Sequence, residues 1–565
     1  VGVGGVATQG VGVAAAVGGV AVDAVLAAHT AVPAGHDHFS EEMIRRYFEH
    51  ACKELGVSNE QLLALGRVPG GHGCNVTALA IRGSRFQNGV SRIHGGVSAR
   101  ILSSLWPQIE ADDNPVTHVT NGVHVSTFLS SEWNELFDRF LGPGWSQRVT
   151  DRSCWEGIHT IPDHQFWSVH QSLKAQMLHL VRHRISDQHA RNHGSEAHLD
   201  RLLKLANPDN PNVLTIGFAR RFATYKRAGL MFENLNWLRE ILCDPQRPVL
   251  FLFAGKAHPA DQPGQALIRR VIEVARMPEF EGKILLVEGY DLRFARRLVS
   301  GVDVWLNNPQ YPLEACGTSG MKAAMNGIPN LSVLDGWWGE GYDGKNGWGI
   351  KPASDTLDEA RRNHEEARTL YEILQDSVVP LYYNLGPMGY SPGWVAMAKH
   401  SIATLLPRFN TTRMLSDYLS RFYVPASHQY RRYSQDNYAG AKAVAQWKSR
   451  VRAAWPQIAL RRVDAPKRRI GFGESLRFEV SVNLNGLQPD DVVVELLFGR
   501  PAGGNMPKKA RSHRFRHERQ LESGEQIYAL DLTPEYCGKI EYRIRVYPHH
   551  EMLTHPFEMG MMIWL

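Results

Sequence analysis

Residues 314–327 read Glu-Ala-Cys-Gly-Thr-Ser-Gly-Met-Lys-Ala-Ala-Met-Asn-Gly. An apolar run at 302–306, ending in Asn307-Asn308-Pro309, comes before this stretch, and within it Ala323-Ala324-Met325 are good helix formers. The order is therefore strand, loop, helix start. Gly317 and Gly320 allow the backbone to approach a ligand closely, and Thr318 and Ser319 add hydroxyl donors. A helix start offers unpaired N–H groups and a positive dipole end, so the guest it suits is a phosphate. Lys322 is then either a phosphate clamp or a Schiff-base lysine for pyridoxal phosphate. The bland alternative is a glycine-rich turn carrying a solvated lysine.

Working outward, short apolar runs at 213–218, 248–255, 283–288 and 302–306 alternate with helical stretches such as 264–275. That alternation predicts a parallel, doubly wound α/β domain with ligands at its strand ends. Directly after the first run, Arg220-Arg221-Phe222-Ala223-Thr224-Tyr225-Lys226-Arg227 sets four cations where this topology has its crevice. A basic helix start on the surface is the competing reading. Upstream, Ser40 is placed to cap a helix opening at Glu41, residues 69–73 read as an exposed turn, and 75–81 and 116–119 read as strands. Downstream, 358–455 is largely helical and Ala465-Pro466-Lys467 reads as a linker. Beyond it, 476–482, 492–497 and 540–546 have strand character and predict a small β-sandwich.

The 565 residues are enough for two or three domains. Sixty-three basic and 57 acidic residues leave a net charge of +6, a surplus that suits a local anion site better than a nucleic-acid surface. The short basic runs Arg461-Arg462 and Lys467-Arg468-Arg469 read as solvated linker charge. Six scattered cysteines with no C-x-x-C pair argue against a zinc ribbon or disulfide framework and fit a reducing, cytoplasmic setting. Residues 1–28 are almost wholly Val, Gly and Ala, with no Lys or Arg before Arg45, which suits neither a signal peptide nor a spanning helix. No membrane or metal partner is expected.

Gly317-Thr-Ser-Gly-Met-Lys-Ala-Ala-Met-Asn-Gly327 resembles the pyridoxal-phosphate segment of the α-glucan phosphorylases, and Leu334-Asp-Gly-Trp-Trp338 marks the bacterial branch. The resemblance implies a GT-B fold of two Rossmann-like domains with a C-terminal β-sandwich. It also implies that pyridoxal 5'-phosphate is carried by Lys322 and contacted by Thr318, Ser319, Gly320, Tyr290 and Arg220. Arg221 and Lys226 match the family's substrate-phosphate arginine and lysine. Asn88-Gly-Val-Ser-Arg-Ile-His94 is similar to the segment whose histidine touches the sugar, which gives that role to His94. Glu314, Cys316 and Gly317 align with residues that hold glucose hydroxyls, Cys316 standing where the family has serine. His29, Asp37 and Asn121 fall in further segments similar to the family's substrate cleft. Asp291, after Tyr290, departs from the arginine of animal-type enzymes.

On this reading the chain divides into a Val/Gly/Ala stub (1–28), a partial first GT-B domain (29–165), a second binding the cofactor (166–385), a helical region returning to the first (386–457) and the β-sandwich (458–565). The implied activity is phosphorolysis of α-1,4-glucans (glycogen, maltodextrin) by inorganic phosphate, releasing glucose 1-phosphate with retention. Pyridoxal phosphate is implied to act through its own phosphate, exchanging a proton with the substrate phosphate. Family members have a long N-terminal part with a glycine-rich phosphate loop, so the chain is expected to be truncated and to turn over poorly. The rivals are a nucleotide-sugar-dependent synthase of the same fold and an inactive glucan-binding remnant.

Overall fold

A computed structural model describes residues 24–30, 36–465, 469–471, 473–500, 508–535 and 537–565. Two parallel sheets carry the first three-fifths of the chain. The larger has six strands: β4 (Leu214–Ala219), β5 (Val249–Ala254), β6 (Ile284–Val287), β7 (Val304–Asn307), β8 (Asn330–Val333) and β9 (Gly347–Ile350), in the order β9-β8-β7-β4-β5-β6. Every residue of β4 and β5 is buried, as expected for strands covered by helices on both faces. The chain winds outward through β5 and β6, returns to place β7 beside the other edge of β4, and then winds the opposite way. That reversal between β4 and β7 is a topological switch point, and it opens a crevice at the carboxyl ends of those two strands.

The smaller parallel sheet orders β1 (Val25–Ala27), β2 (Phe86–Gly89) and β3 (Val116–His118) edge to edge. Val25–Ala27 falls within the stretch that composition groups with the Val/Gly/Ala stub. Paired with Phe86–Asn88 it forms a regular parallel strand, and residues 1–23 of that stub lie outside the described residues. The strand expected at 75–81 is instead a helix, Val76–Arg82. Asn75 explains the difference: its side chain accepts from the Ala78 N–H at 2.9 Å, and this N-cap outweighs the β-branched Val76 and Thr77. Ser40 caps Glu41–Leu55 as expected, accepting from the Met43 N–H.

The tail forms two four-stranded antiparallel sheets. One orders Ala459–Arg462, Leu476–Asn483, Gln526–Leu532 and Arg516–Gln520; the other orders Lys508–Arg514, Val492–Arg500, Glu541–Pro548 and Ile563–Trp564. Phe478, Val480 and Val482 of the first meet Val494, Leu496, Ile544 and Val546 of the second in one core. Arg461 and Arg462 are not in a linker, although Arg461 is exposed. They sit in a strand, Arg461 paired with Glu525 and Arg462 with Asp464. The linker residues Pro466 and Lys467, with Arg468, lie outside the described residues.

Candidate active site at the switch point

The carboxyl end of β4 delivers Arg220, and the segment after β7 delivers Glu314, so two distant stretches meet at the crevice. The Glu314 carboxylate accepts from Arg220 Nη2 at 2.8 Å and from the Lys226 ammonium. All three side chains are buried. Burial pushes the Glu314 carboxyl up, but Arg220 and Lys226 outweigh it and hold the group below the usual carboxylate range. Burial, then the neighbouring Arg220, drive the Lys226 ammonium down to about 8 against the pull of Glu314. Its Nζ also lies 4.5 Å from the centre of the Tyr225 ring.

Arg220 is the odd member. It is 9 % exposed, and its Nε and Nη1 are buried with no hydrogen-bond partner among the described residues. A buried guanidinium with donors left open costs free energy unless an acceptor arrives. Tyr290, half-buried, is near enough for Arg220 to act on its hydroxyl, although burial dominates and pushes that hydroxyl up. Arg221 is exposed at the mouth of the crevice. Arg227, the last cation of the run, is fully engaged with Asn308, Pro309, Asn363 and Glu366, and is structural.

The loop from Glu314 leads into the helix Thr318–Met325, with Gly317 in the left-handed region at its start. Thr318 and Lys322 are half-buried. Lys322 has no carboxylate within 4 Å among the described residues; its Nζ lies 4.2 Å from the centre of the Phe128 ring, and burial pushes the ammonium down. Ser319 Oγ accepts from the Trp305 indole at 3.2 Å, which ties the helix to β7. Gly320 has a role different from the ligand approach expected of it. A Cβ there would stand 2.3 Å from Asn330 Oδ1 and 3.0 Å from the Trp337 ring, so the protein's own packing requires glycine.

The sequence reading assigned no role to Asp335, the second residue of Leu-Asp-Gly-Trp-Trp. Its Oδ2 accepts from the Glu314 N–H at 2.9 Å and its Oδ1 from the Gly336 N–H at 2.8 Å, fixing the loop beneath the cluster. Burial is the main cause that pushes this carboxyl up to about 7. Gly336 lets the backbone lie on the loop, since a Cβ there would meet the Cys316 carbonyl at 2.4 Å. The signal available in sequence was an acid flanked by Leu334 and Gly336, too short a pattern to separate from a turn.

The first part of the chain supplies the facing wall. Ser91 Oγ donates to the Ala315 carbonyl at 2.7 Å, and Thr120 Oγ1 and the Arg92 N–H donate to Glu340. Asn121, half-buried, lies beside the buried Cys316, whose thiol burial pushes up. His94 is 1 % exposed; Nδ1 accepts from the Val90 N–H at 3.1 Å, Nε2 lies 3.3 Å from Ser98 Oγ, and the ring also bonds the Thr30 backbone. His29 is exposed and close enough to His94 to act on its charge. Asp37 is exposed beside Val76, whose N–H its carbonyl accepts, and is not brought to the Glu314 cluster. Asp291 caps the helix Leu292–Gly301 and pairs with Arg184. Among the described residues no group of His, Cys, Asp and Glu is arranged to hold a metal, and no helix is long and apolar enough to cross a membrane.

Residues 40–338 match the model of the carbohydrate phosphorylase family, more than half of the chain, including the Glu314 cluster, Lys322 and Asp335. The chain belongs to the carbohydrate phosphorylase family. Residues 455–565 match the glycogen phosphorylase C-terminal domain, in agreement with the two antiparallel sheets. The maltodextrin phosphorylase of Thermococcus litoralis is 38% identical over 549 residues, covering 96% of this chain and 62% of that protein. The glycogen phosphorylase of Mycobacterium tuberculosis is 36% identical over 546 residues, covering 95% and 62%, and that of Aquifex aeolicus 40% identical over 397 residues, covering 70% and 56%. The chain thus spans about three-fifths of the length of the curated relatives it matches. The parallel sheets and antiparallel tail agree with the expected GT-B class, and these matches do not favour the nucleotide-sugar synthase.

Proposed function

We propose that this chain carries the cofactor and phosphate wall of an α-1,4-glucan phosphorylase, acting in the cytoplasm. Its substrates are glycogen or maltodextrin and inorganic phosphate, and its product is α-D-glucose 1-phosphate, formed with retention. The observation that carries the reading is Arg220, buried beside Lys226 with Nε and Nη1 open. Such donors, unsatisfied by any residue around them, suit a phosphate oxygen.

Pyridoxal 5'-phosphate fits the residues present. Lys322 is its attachment point: half-buried, free of carboxylate partners, and pushed by burial toward the neutral amine that an aldehyde requires. Arg220, Tyr290, Thr318 and the start of the helix Thr318–Met325 hold its anionic end. When bound, the cofactor supplies a phosphate group for acid–base exchange with the substrate phosphate.

The chain's own residues arrange the rest. Lys226 and the exposed Arg221 hold the substrate phosphate, a compact charge and a planar fork in turn. Glu314 keeps the Lys226 ammonium in place and, with Gly317, Cys316 and Asn121, lines the space for the sugar. Asp335 fixes the Glu314 backbone so that these charges are set before the reaction begins.

The test is glucose 1-phosphate release from maltoheptaose and inorganic phosphate. It is run on the 565-residue chain alone and mixed with the N-terminal part of the Thermococcus litoralis relative. Phosphate-dependent product, lost in Lys322→Ala, is the expected result. No product from either mixture, with pyridoxal phosphate bound and the chain folded, overturns the reading.

A further inference from the structure

Around the Thr120–Glu340 contact lies a second cavity of about 370 Å³ that shares no residue with the Glu314 cluster. It is lined by four arginines, Arg152, Arg408, Arg413 and Arg421, against two carboxylates, Glu340 and Asp417. Both acids are already engaged. Glu340 accepts from Thr120 Oγ1 at 2.9 Å and from the Arg92 N–H at 2.8 Å; Asp417 accepts from Arg413 Nη1 at 2.8 Å. Arg413 is also spent, on the Asp417 carboxylate and on the Thr120 and Asn121 carbonyls. Arg152, Arg408 and Arg421 have no carboxylate within 4 Å among the described residues. Arg421 bonds only the His118 carbonyl and the Thr117 hydroxyl, and Arg408 only the Glu340 carbonyl.

The four arginines outnumber the two carboxylates of the lining, and the exposed Arg152 and Arg421 and the half-buried Arg408 have no direct ion pair among the described residues. At Arg408 the positive side wins: burial, and then Arg152 and Arg413, push the guanidinium below its ordinary value against the pull of Glu340 and Asp343. An anion relieves that repulsion, and the planar forks of arginine match phosphate oxygens. The volume exceeds that of one phosphate ion and falls in the range of small-ligand pockets.

We infer that this cavity binds a phosphate dianion, free or as the ester of a small molecule, held by Arg152, Arg408 and Arg421. Its walls come from the end of β3, the helix Arg152–Glu156, Glu340 beside the cofactor loop, and the returning segment 407–421. An anion seated there touches residues of both walls. The inference does not depend on the glucan phosphorylase reading.

The test is calorimetric titration of the full chain with inorganic phosphate and, separately, phenyl phosphate at low ionic strength. It compares wild type, Arg152→Gln/Arg421→Gln and Arg221→Gln. The expected result is at least a tenfold loss of affinity in the double variant, with this binding class retained in Arg221→Gln. Tighter binding of phenyl phosphate than phosphate identifies an ester as the ligand; equal or weaker binding identifies the free ion. Should circular dichroism show the double variant misfolded, the single Arg152→Gln, at an exposed helix start, must show at least a threefold loss. Unchanged affinity for both probes in the folded variant, or loss of all binding in Arg221→Gln, overturns the inference.

Discussion

Two buried lysine–carboxylate clusters sit at opposite ends of the same six-stranded sheet, and they differ in one respect. At the amino ends of β4 and β7, Lys174 Nζ donates to Asp303 at 2.5 Å, to the Val213 carbonyl at 2.6 Å and to the Tyr382 hydroxyl at 3.0 Å. Asp303 in turn accepts from His170 at 2.7 Å and from the Thr215 N–H at 2.7 Å. All three donor positions of the ammonium are filled. At the carboxyl ends, Glu314, Lys226 and Arg220 are also buried and paired, yet two donors of Arg220 have no acceptor among the described residues. On the proposed function, the closed network serves the fold and the open one a ligand. The sheet's geometry makes the same distinction, since ligands in this topology bind outside the carboxyl ends.

The largest effect that tests this contrast is at the closed end. Asp303→Ala strands a fully buried ammonium and should cost about 3–5 kcal/mol of stability. Denaturant unfolding measures it, and a loss under about 1 kcal/mol would show that the closed cluster is not structural.

Next in size is a pH effect at the open end. The Asp335 carboxyl titrates at about 7 in the folded chain and near 4 when unfolded. Between those values the folded state binds more protons, so this group's contribution to stability falls as pH rises from about 4 to about 7 and is constant above. The slope is at most about 1.4 kcal/mol per pH unit. Thermal melts of wild type and Asp335→Asn across that window should diverge with this sign; parallel curves would mean that Asp335 is ionised throughout.

The smallest stability change is expected at Arg220. Arg220→Met removes one partner of Glu314 but also two unsatisfied donors, and Lys226 remains on the carboxylate. The two costs offset to within about 1 kcal/mol. Uptake of pyridoxal phosphate, followed by absorbance, should nevertheless weaken at least tenfold. A variant that unfolds readily but binds the cofactor normally would reverse the assignment of the two clusters.

Much of the open end was legible because its elements carry local signals. Buried strands read as continuous apolar runs, and the cations of 220–227 follow one of them directly. The Glu-Ala-Cys-Gly-Thr-Ser-Gly-Met-Lys loop is specific enough to name a family. The partnerships were not legible. Nothing at 220–227 shows that Arg227 is saturated while Arg220 is open, because their partners stand about 80–140 residues away. Asp335 was passed over for the same reason: its importance lies in two backbone N–H groups that only the fold brings to it. Residues 75–81 misled because β-branched side chains suggest a strand wherever a cap is not weighed first. For His94 the segment was legible in the sequence, but its bonds to Val90, Ser98 and the Thr30 backbone were not.

The most direct test of the central claim is borohydride reduction of the folded chain after incubation with pyridoxal phosphate, followed by peptide mapping. Two lysines compete. Lys226, with its ammonium at about 8, is the more reactive if amine chemistry alone decides, whereas the cofactor reading selects Lys322. Label on Lys322 is the predicted result; label on Lys226 alone, or none on a folded chain, contradicts the account.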